Sequence, residues 1–176
     1  LAKVQDEFPD IEFMLGREIF FGEDIAELLQ ENVVSTLNDT DYALIEFHPT
    51  ATADYIAQSL YKVENAGYTP VLAHIERYPD LFKNIKMIEQ IIEGGAYIQV
   101  NASSVEGRLG GDVKRQIIKM MKKGLVHFVA TDAHSNRSRA PQLEECIRYI
   151  DKKLGSGYVK KFFIDNPEKM VHNEYI

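Results

Sequence analysis

Short apolar runs alternate with amphipathic stretches along the whole chain, and this alternation restricts the fold more than any other feature. The β-type runs cover 11–15, 42–47, 70–74, 96–101 and 127–132. Between them a helical pattern covers 23–30, 53–65, 84–93 and 112–123, with further helical stretches over 141–154 and 157–163 and a first piece over 1–8. Glycines at 67, 94, 95 and 124 stand where helices end, because the left-handed turn that closes a helix suits a residue without Cβ. Asp54 and Asp112 fall at N-cap or first-turn positions, where an acid meets the positive end of the helix dipole. Such alternation implies parallel strands joined by crossover helices. Two architectures satisfy it, an open doubly wound sheet and a (β/α) barrel. No Gly-x-Gly-x-x-Gly or Walker motif follows a strand, so the nucleotide-binding open sheet lacks its usual signature. In a barrel, catalytic residues come from the C-terminal ends of several strands.

The ionisable residues obey that rule. Glu18 closes the first unit, Glu46 interrupts Leu44-Ile45-Glu46-Phe47, His74 ends Val71-Leu72-Ala73-His74, and Asp132 and His134 end the run from Phe128. The separations are 28 residues from Glu18 to Glu46, 28 from Glu46 to His74, and 58 from His74 to Asp132, with Asn101 near the midpoint of the last. One strand–loop–helix unit of a βαβ element occupies roughly 30 residues, so each unit offers a ligand at the same height. Asp132 and His134, two apart on a strand, would share a face. Mixed carboxylates and imidazoles suit Zn²⁺, Mn²⁺ or Fe²⁺ better than Ca²⁺. Two such ions about 3.5–4 Å apart can activate water and neutralise phosphate oxygens. Taken singly, each of these residues has an ordinary structural explanation; their common register is what makes a site.

Arg77 and Arg139 follow the strand ends, and guanidinium forks match phosphate oxygens. The competing reading pairs Arg77 with Glu76 or another nearby acid on the surface. Arg17 and Arg137 are weaker candidates of the same kind, and His48 is a candidate outer group. His127 starts a strand, at the wrong end for the site, and His172 lies in the tail. Cys146 sits inside a helical run beside Ile147 and Ile150, so a thiolate phosphatase is not supported. No Gly-x-Ser-x-Gly elbow exists.

Composition removes other classes. A formal net charge of −7 argues against a nucleic-acid surface. No apolar run approaches the ~20 residues of a membrane span, and no signal-peptide pattern opens the chain. One cysteine fits a reducing compartment, hence the cytoplasm. With 176 residues and no linker, a single domain over 1–176 is expected.

The segments Gly16-Arg17-Glu18, Leu44-Ile45-Glu46-Phe47, Ala73-His74-Ile75-Glu76-Arg77-Tyr78 and Thr131-Asp132-Ala133-His134 resemble the PHP superfamily (polymerase and histidinol phosphatase). Within it they are most similar to the manganese-dependent tyrosine-protein phosphatases of Gram-positive capsule and exopolysaccharide operons, as is the ending from Asn166-Pro167 to Asn173-Glu174-Tyr175-Ile176. The resemblance implies a distorted (β/α)₇ TIM-like barrel with Mn²⁺ (or Fe or Zn) at one rim, as two or three ions in the intact protein. It implies Glu18, Glu46, His74, Asp132 and His134 as metal ligands and Arg77 and Arg139 as phosphate-holding residues. The partner it implies is the phosphotyrosine tail of a cognate bacterial tyrosine kinase. The family opens with an Asp-x-His-x-His strand, a further Asp and a later His, which are absent here. The expectation is therefore a barrel without its first strand–helix units, roughly 60–70 residues at about 30 per unit, binding fewer metals and open to self-association at its exposed edge. Alternatives are another PHP hydrolase (a histidinol-phosphate phosphatase or phosphodiesterase) or an inactive truncated paralogue with a binding role.

Overall fold

The computed structural model describes residues 2–137 and 139–176. Five strands, Glu18–Phe20 (β1), Tyr42–Glu46 (β2), Thr69–Leu72 (β3), Tyr97–Asn101 (β4) and Phe128–Ala130 (β5), form one parallel sheet in the order β1-β2-β3-β4-β5. The order follows the chain without reversal. A doubly wound sheet reverses where its two halves meet, so this sheet is wound in one direction, with β1 and β5 as its edges among the described residues.

Side-chain alternation explains what covers each face. Ile19, Ala43, Ile45, Leu72, Ile98, Val100 and Val129 point one way into a large apolar core. The helices Ile25–Gln30 (α2), Ala53–Asn65 (α3), Ile85–Glu93 (α5), Gly111–Lys122 (α7) and Glu144–Leu154 (α8) close over them. Helix α3 shows why these segments are helical. Thr52 caps it by accepting from Tyr55 N at 3.2 Å, and Ala53, Ile56, Leu60 and Val63 bury one stripe. Asn84 caps α5 in the same way, accepting from Met87 N at 3.1 Å. Asp54 and Asp112 prove to be first-turn acids rather than caps. Each fully buried aliphatic side chain in this stripe contributes about 1.5–3 kcal/mol.

The opposite face carries a smaller cluster of Tyr42, Val71 and Phe128 with Leu37, Leu44, Tyr97, Met170 and Ile176. The C-terminal tail closes part of it: Tyr42 Oη donates to Glu174 O at 2.6 Å, and Ile176 N donates to Tyr97 Oη at 3.0 Å. The remaining helices are short: Ala2–Glu7 (α1), Pro79–Phe82 (α4), Ala102–Glu106 (α6), Ser156–Lys160 (α9) and Asn166–Val171 (α10), with a π-helical turn over Lys161–Asp165 before α10. No helix among the described residues is long and apolar enough to cross a membrane. The helix expected over 1–8 is α1, and Leu1 lies outside the described residues.

The strand expected over 11–15 is irregular chain, with Ile11, Met14 and Leu15 exposed. Pairing decides the matter. Leu15 O accepts from Asn38 N at 2.6 Å, and Gly16 passes so close to Leu37 that a Cβ would fall 2.7 Å from its Cδ2. The chain joins the sheet only at Glu18, where Ile19 finds a place in the core. Glu18 therefore opens β1 instead of closing a strand. Its register partner is Leu44, two residues below Glu46 and on the same face.

Candidate metal centre

Polar groups gather at the carboxyl rim, where the strands release their chains into loops. Strand β3 ends at Leu72, and two residues later His74 adopts a left-handed conformation (φ 30°, ψ 59°). Its backbone N donates to Gln99 Oε1 on the neighbouring strand. The ring is 1% exposed, with Nε2 3.1 Å from Glu18 Oε1 and 3.2 Å from Glu46 Oε1. Neither contact has hydrogen-bond geometry, so Nε2 is buried and unpartnered. On the far side of the ring Nδ1 lies 3.4 Å from Tyr78 Oη, which also accepts from Phe47 N at 3.0 Å. If Nδ1 carries the proton, the Nε2 lone pair faces the two carboxylates. One ligand atom from each of Glu18, Glu46 and His74 lies within 4.8 Å of the others. A buried lone pair and two converging carboxylates form an electron-rich pocket that fits a divalent cation of the Mn²⁺, Fe²⁺ or Zn²⁺ type. The tyrosine behind the ring is the kind of outer partner that orients a ligating histidine.

Asp132 and His134 lie beyond β5, in a loop closed on itself by His134 N donating to Arg139 O at 3.0 Å. They do not alternate on a strand, because Asp132 already has φ 51°. Their proximity comes from the turn: His134 Nδ1 is 3.4 Å from Asp132 Oδ1 and 3.0 Å from Asp132 O. The His134 side chain is 55% exposed and open to the rim, whereas that of Asp132 is 9% exposed. Asp132 Oδ2 accepts from Arg77 and from Asn101 Nδ2 at 2.9 Å, and it forms an ion pair with Arg139 Nη2 at 2.5 Å. Two of the five expected ligands, Asp132 and His134, are thus not part of the triad but line one cavity of about 440 Å³ with Glu18 and His74. Arg77 links the groups, with Nη1 3.8 Å from Glu46 Oε1. Arg77 pairs with nearby acids, as the competing reading allowed, and these are Glu46 and Asp132 at the rim.

Strand β4 joins the two groups. Gln99 Oε1 holds the His74 backbone while its Nε2 donates to Asn101 Oδ1 at 3.0 Å, and Asn101 holds Asp132. The Asn101 backbone N donates to Glu76 Oε1 at 2.8 Å. Glu76 is 6% exposed, and burial raises its carboxyl above the usual range. Gln99, Tyr78 and Glu76 escape the sequence reading, and Asn101 figures there only by position. A signal did exist: Tyr97, Gln99 and Asn101 alternate with Ile98 and Val100, so two amides occupy one face of an otherwise apolar strand.

The remaining candidates stand outside. His48 is exposed, its Nδ1 2.8 Å from Thr50 Oγ1, and Arg17 is exposed ahead of β1. His127 is structural, accepting from Ile98 N at 3.0 Å, and burial pushes its imidazole down to about 4. His172 is exposed in the tail. The Cys146 thiol is fully buried and pushed up to about 12, chiefly by desolvation, so it supplies no thiolate at neutral pH.

The family described as "Capsular polysaccharide synthesis, CpsB/CapC" matches residues 1–172. The chain is similar to the tyrosine-protein phosphatase CpsB of Streptococcus pneumoniae, 36% identical over 172 residues that cover 95% of this chain and 71% of that protein. It is similar to the tyrosine-protein phosphatase YwqE of Bacillus subtilis (strain 168), 30% identical over 98% of this chain and 67% of that protein. A structure from the work "Crystal structures of YwqE from Bacillus subtilis and CpsB from Streptococcus pneumoniae, unique metal-dependent tyrosine phosphatases" superposes with a TM-score of 0.87 at 28% identity. That match covers 99% of this chain and 70% of that one.

Proposed function

The chain belongs to the CpsB/CapC family of capsular polysaccharide synthesis, and from that premise we propose that it is a metal-dependent protein-tyrosine phosphatase. Its proposed substrate is phosphotyrosine on a bacterial tyrosine kinase that regulates capsule or exopolysaccharide synthesis, in the cytoplasm. The observation that carries this reading is the buried, unpartnered Nε2 of His74 between Glu18 and Glu46. In this reading the sheet belongs to a distorted (β/α)₇ PHP barrel, and residues 1–176 form one domain.

Glu18, Glu46 and His74 would hold Mn²⁺, with Asp132 and His134 completing the ligand set. Bound divalent ions supply Lewis acidity, lowering the pKa of water and neutralising phosphate oxygens. The chain does the rest. Tyr78 and Gln99 fix the His74 ring and backbone, while Asn101 orients the Asp132 carboxylate. Arg77 and Arg139, both gathered on Asp132, grip the substrate phosphate with their forks as it enters beside that carboxylate. The buried Cys146 leaves the reaction without a thiolate nucleophile.

Hydrolysis of a phosphotyrosine peptide, measured with Mn²⁺ and then with EDTA, tests the reading. Turnover should require the metal, vanish with EDTA, return on Mn²⁺ addition and exceed turnover of histidinol phosphate. EDTA-insensitive turnover overturns it. Preference for histidinol phosphate or a nucleic-acid end would assign the site to another hydrolase of the PHP type.

A further inference from the structure

Arg77 and Arg139 line one side of a cleft of about 650 Å³ beside Asp132. That volume lies in the ~300–1,000 Å³ range of pockets that take a drug-sized molecule, more than a phosphate group fills. Three other arginines line it: Arg108 after α6, Arg137 in the loop after β5, and Arg148 on α8. The chain has seven arginines and thirteen lysines, and this cleft takes five of the arginines and no lysine. Bulk attraction for anions would use either cation. Guanidinium matches planar carboxylate and tetrahedral phosphate through paired N–H groups, which ammonium does not.

Carboxylates line the cleft too, and one of these arginines is held loosely: Arg148 Nη2 is 3.5 Å from Glu144 Oε1, with the two side chains 67% and 81% exposed. An exposed pair of this kind contributes little, about 0–1 kcal/mol, so an incoming anion can take over that guanidinium. Arg108 Nε is 3.8 Å from Oε2 of the more buried Glu106. Arg77 and Arg139, by contrast, make close contacts to the nearly buried Asp132.

We propose that Arg108, Arg137 and Arg148 form a second anion subsite that binds an acidic side chain flanking the phosphotyrosine on the same polypeptide. The proposal rests on the phosphatase reading and names the substrate more closely: a segment with a carboxylate or a further phosphate near the scissile one. Recognition of the flanking group explains how a cleft on an acidic protein selects an acidic substrate.

The test compares three labelled phosphotyrosine peptides, identical except for a neighbouring Gln, Glu or non-hydrolysable phosphonate residue. Binding is read by fluorescence anisotropy in EDTA, and p-nitrophenyl phosphate turnover with Mn²⁺ is measured in parallel. The Glu and phosphonate peptides should bind about three- to fivefold tighter than the Gln peptide, the gain of exposed ion pairs, and the gain should shrink as salt rises. The tighter of the two identifies the flanking chemistry. Arg148→Glu should reduce the preference and Arg108→Glu/Arg148→Glu should abolish it, with circular dichroism unchanged. Equal binding of all three peptides, or a preference unaltered in the double variant, overturns the subsite. A preserved preference without p-nitrophenyl phosphate turnover would sink the phosphatase reading and leave the subsite standing.

Discussion

The two faces of the sheet are built from the same strands on different terms. On the helix-covered face Ala43, Ile45, Leu72, Ile98 and Val100 are fully buried among apolar neighbours, and nothing there needs a partner of particular chemistry. On the other face Tyr42, Val71 and Phe128 form a small cluster, and above it stand Glu18, Glu46, Gln99 and Asn101. The buried Gln99 and Asn101 must be satisfied by their neighbours or by a ligand, since buried polar atoms without partners cost free energy. One face holds the fold. The other concentrates charge at its upper edge, and the unpartnered His74 Nε2 marks where the chain's own groups run out.

Substitutions that strike one face and spare the other sharpen the contrast. The largest separation is expected from His74→Ala, which should reduce phosphotyrosine hydrolysis by on the order of 10³-fold, a loss comparable to deleting a principal electrostatic stabiliser. Urea unfolding should confirm that the variant remains folded; an active His74→Ala protein would remove His74 from the chemistry. Leu60→Ala on the helix-covered face should do the reverse, costing about 2–5 kcal/mol through the cavity it leaves. Its denaturant midpoint should fall while its folded fraction keeps normal metal dependence.

His127, packed edge-on against Tyr97 beside the smaller cluster, gives a pH-dependent test of the fold. Its folded-state pKa of about 4 lies below the ordinary histidine value of 6.5. Above 6.5 both folded and unfolded chains carry it neutral. As pH falls from 6.5 towards 4 only the unfolded chain takes up the proton, so stability is lost across that window, by up to about 3 kcal/mol. His127→Gln should flatten the stability profile there, and an unchanged slope would mean that other groups dominate. The smallest effect is expected from Asn101→Ala, which removes the neutral hydrogen-bond donor of Asp132 and leaves its two arginine partners. Turnover should fall about 10–100-fold, the scale for partners that orient a metal ligand, with KM for small substrates little changed.

The helix-covered face was largely legible in the sequence because its signals are local. Amphipathic spacing such as Ile56, Leu60 and Val63 marks the helices, and Asp54 and Asp112 mark first turns, although the caps themselves, Thr52 and Asn84, emerge only from the structure. Single-turn helices such as α4 and α6 have no period to read. The first strand was misplaced because Ile11 to Leu15 is apolar enough for a strand, whereas pairing with β2 falls to Glu18–Phe20. In the site, Glu46, His74 and Asp132 were visible as ionisable residues at the ends of apolar runs. The link through Gln99 and Asn101 was not, because an amide reveals its role only when the neighbouring strand is in place. The division of the expected ligands into a triad and an arginine-bound Asp132 depends on the turns after β3 and β5, which strand periodicity does not describe.

Metal binding by Glu18, Glu46 and His74 underlies every role assigned to the rim. Titration of the chain with Mn²⁺ by isothermal calorimetry, beside His74→Ala, addresses this without requiring turnover. Saturable binding, weakened at least about tenfold in the variant, is the predicted result. Equal binding by both proteins, or no binding by the unaltered chain, would contradict it.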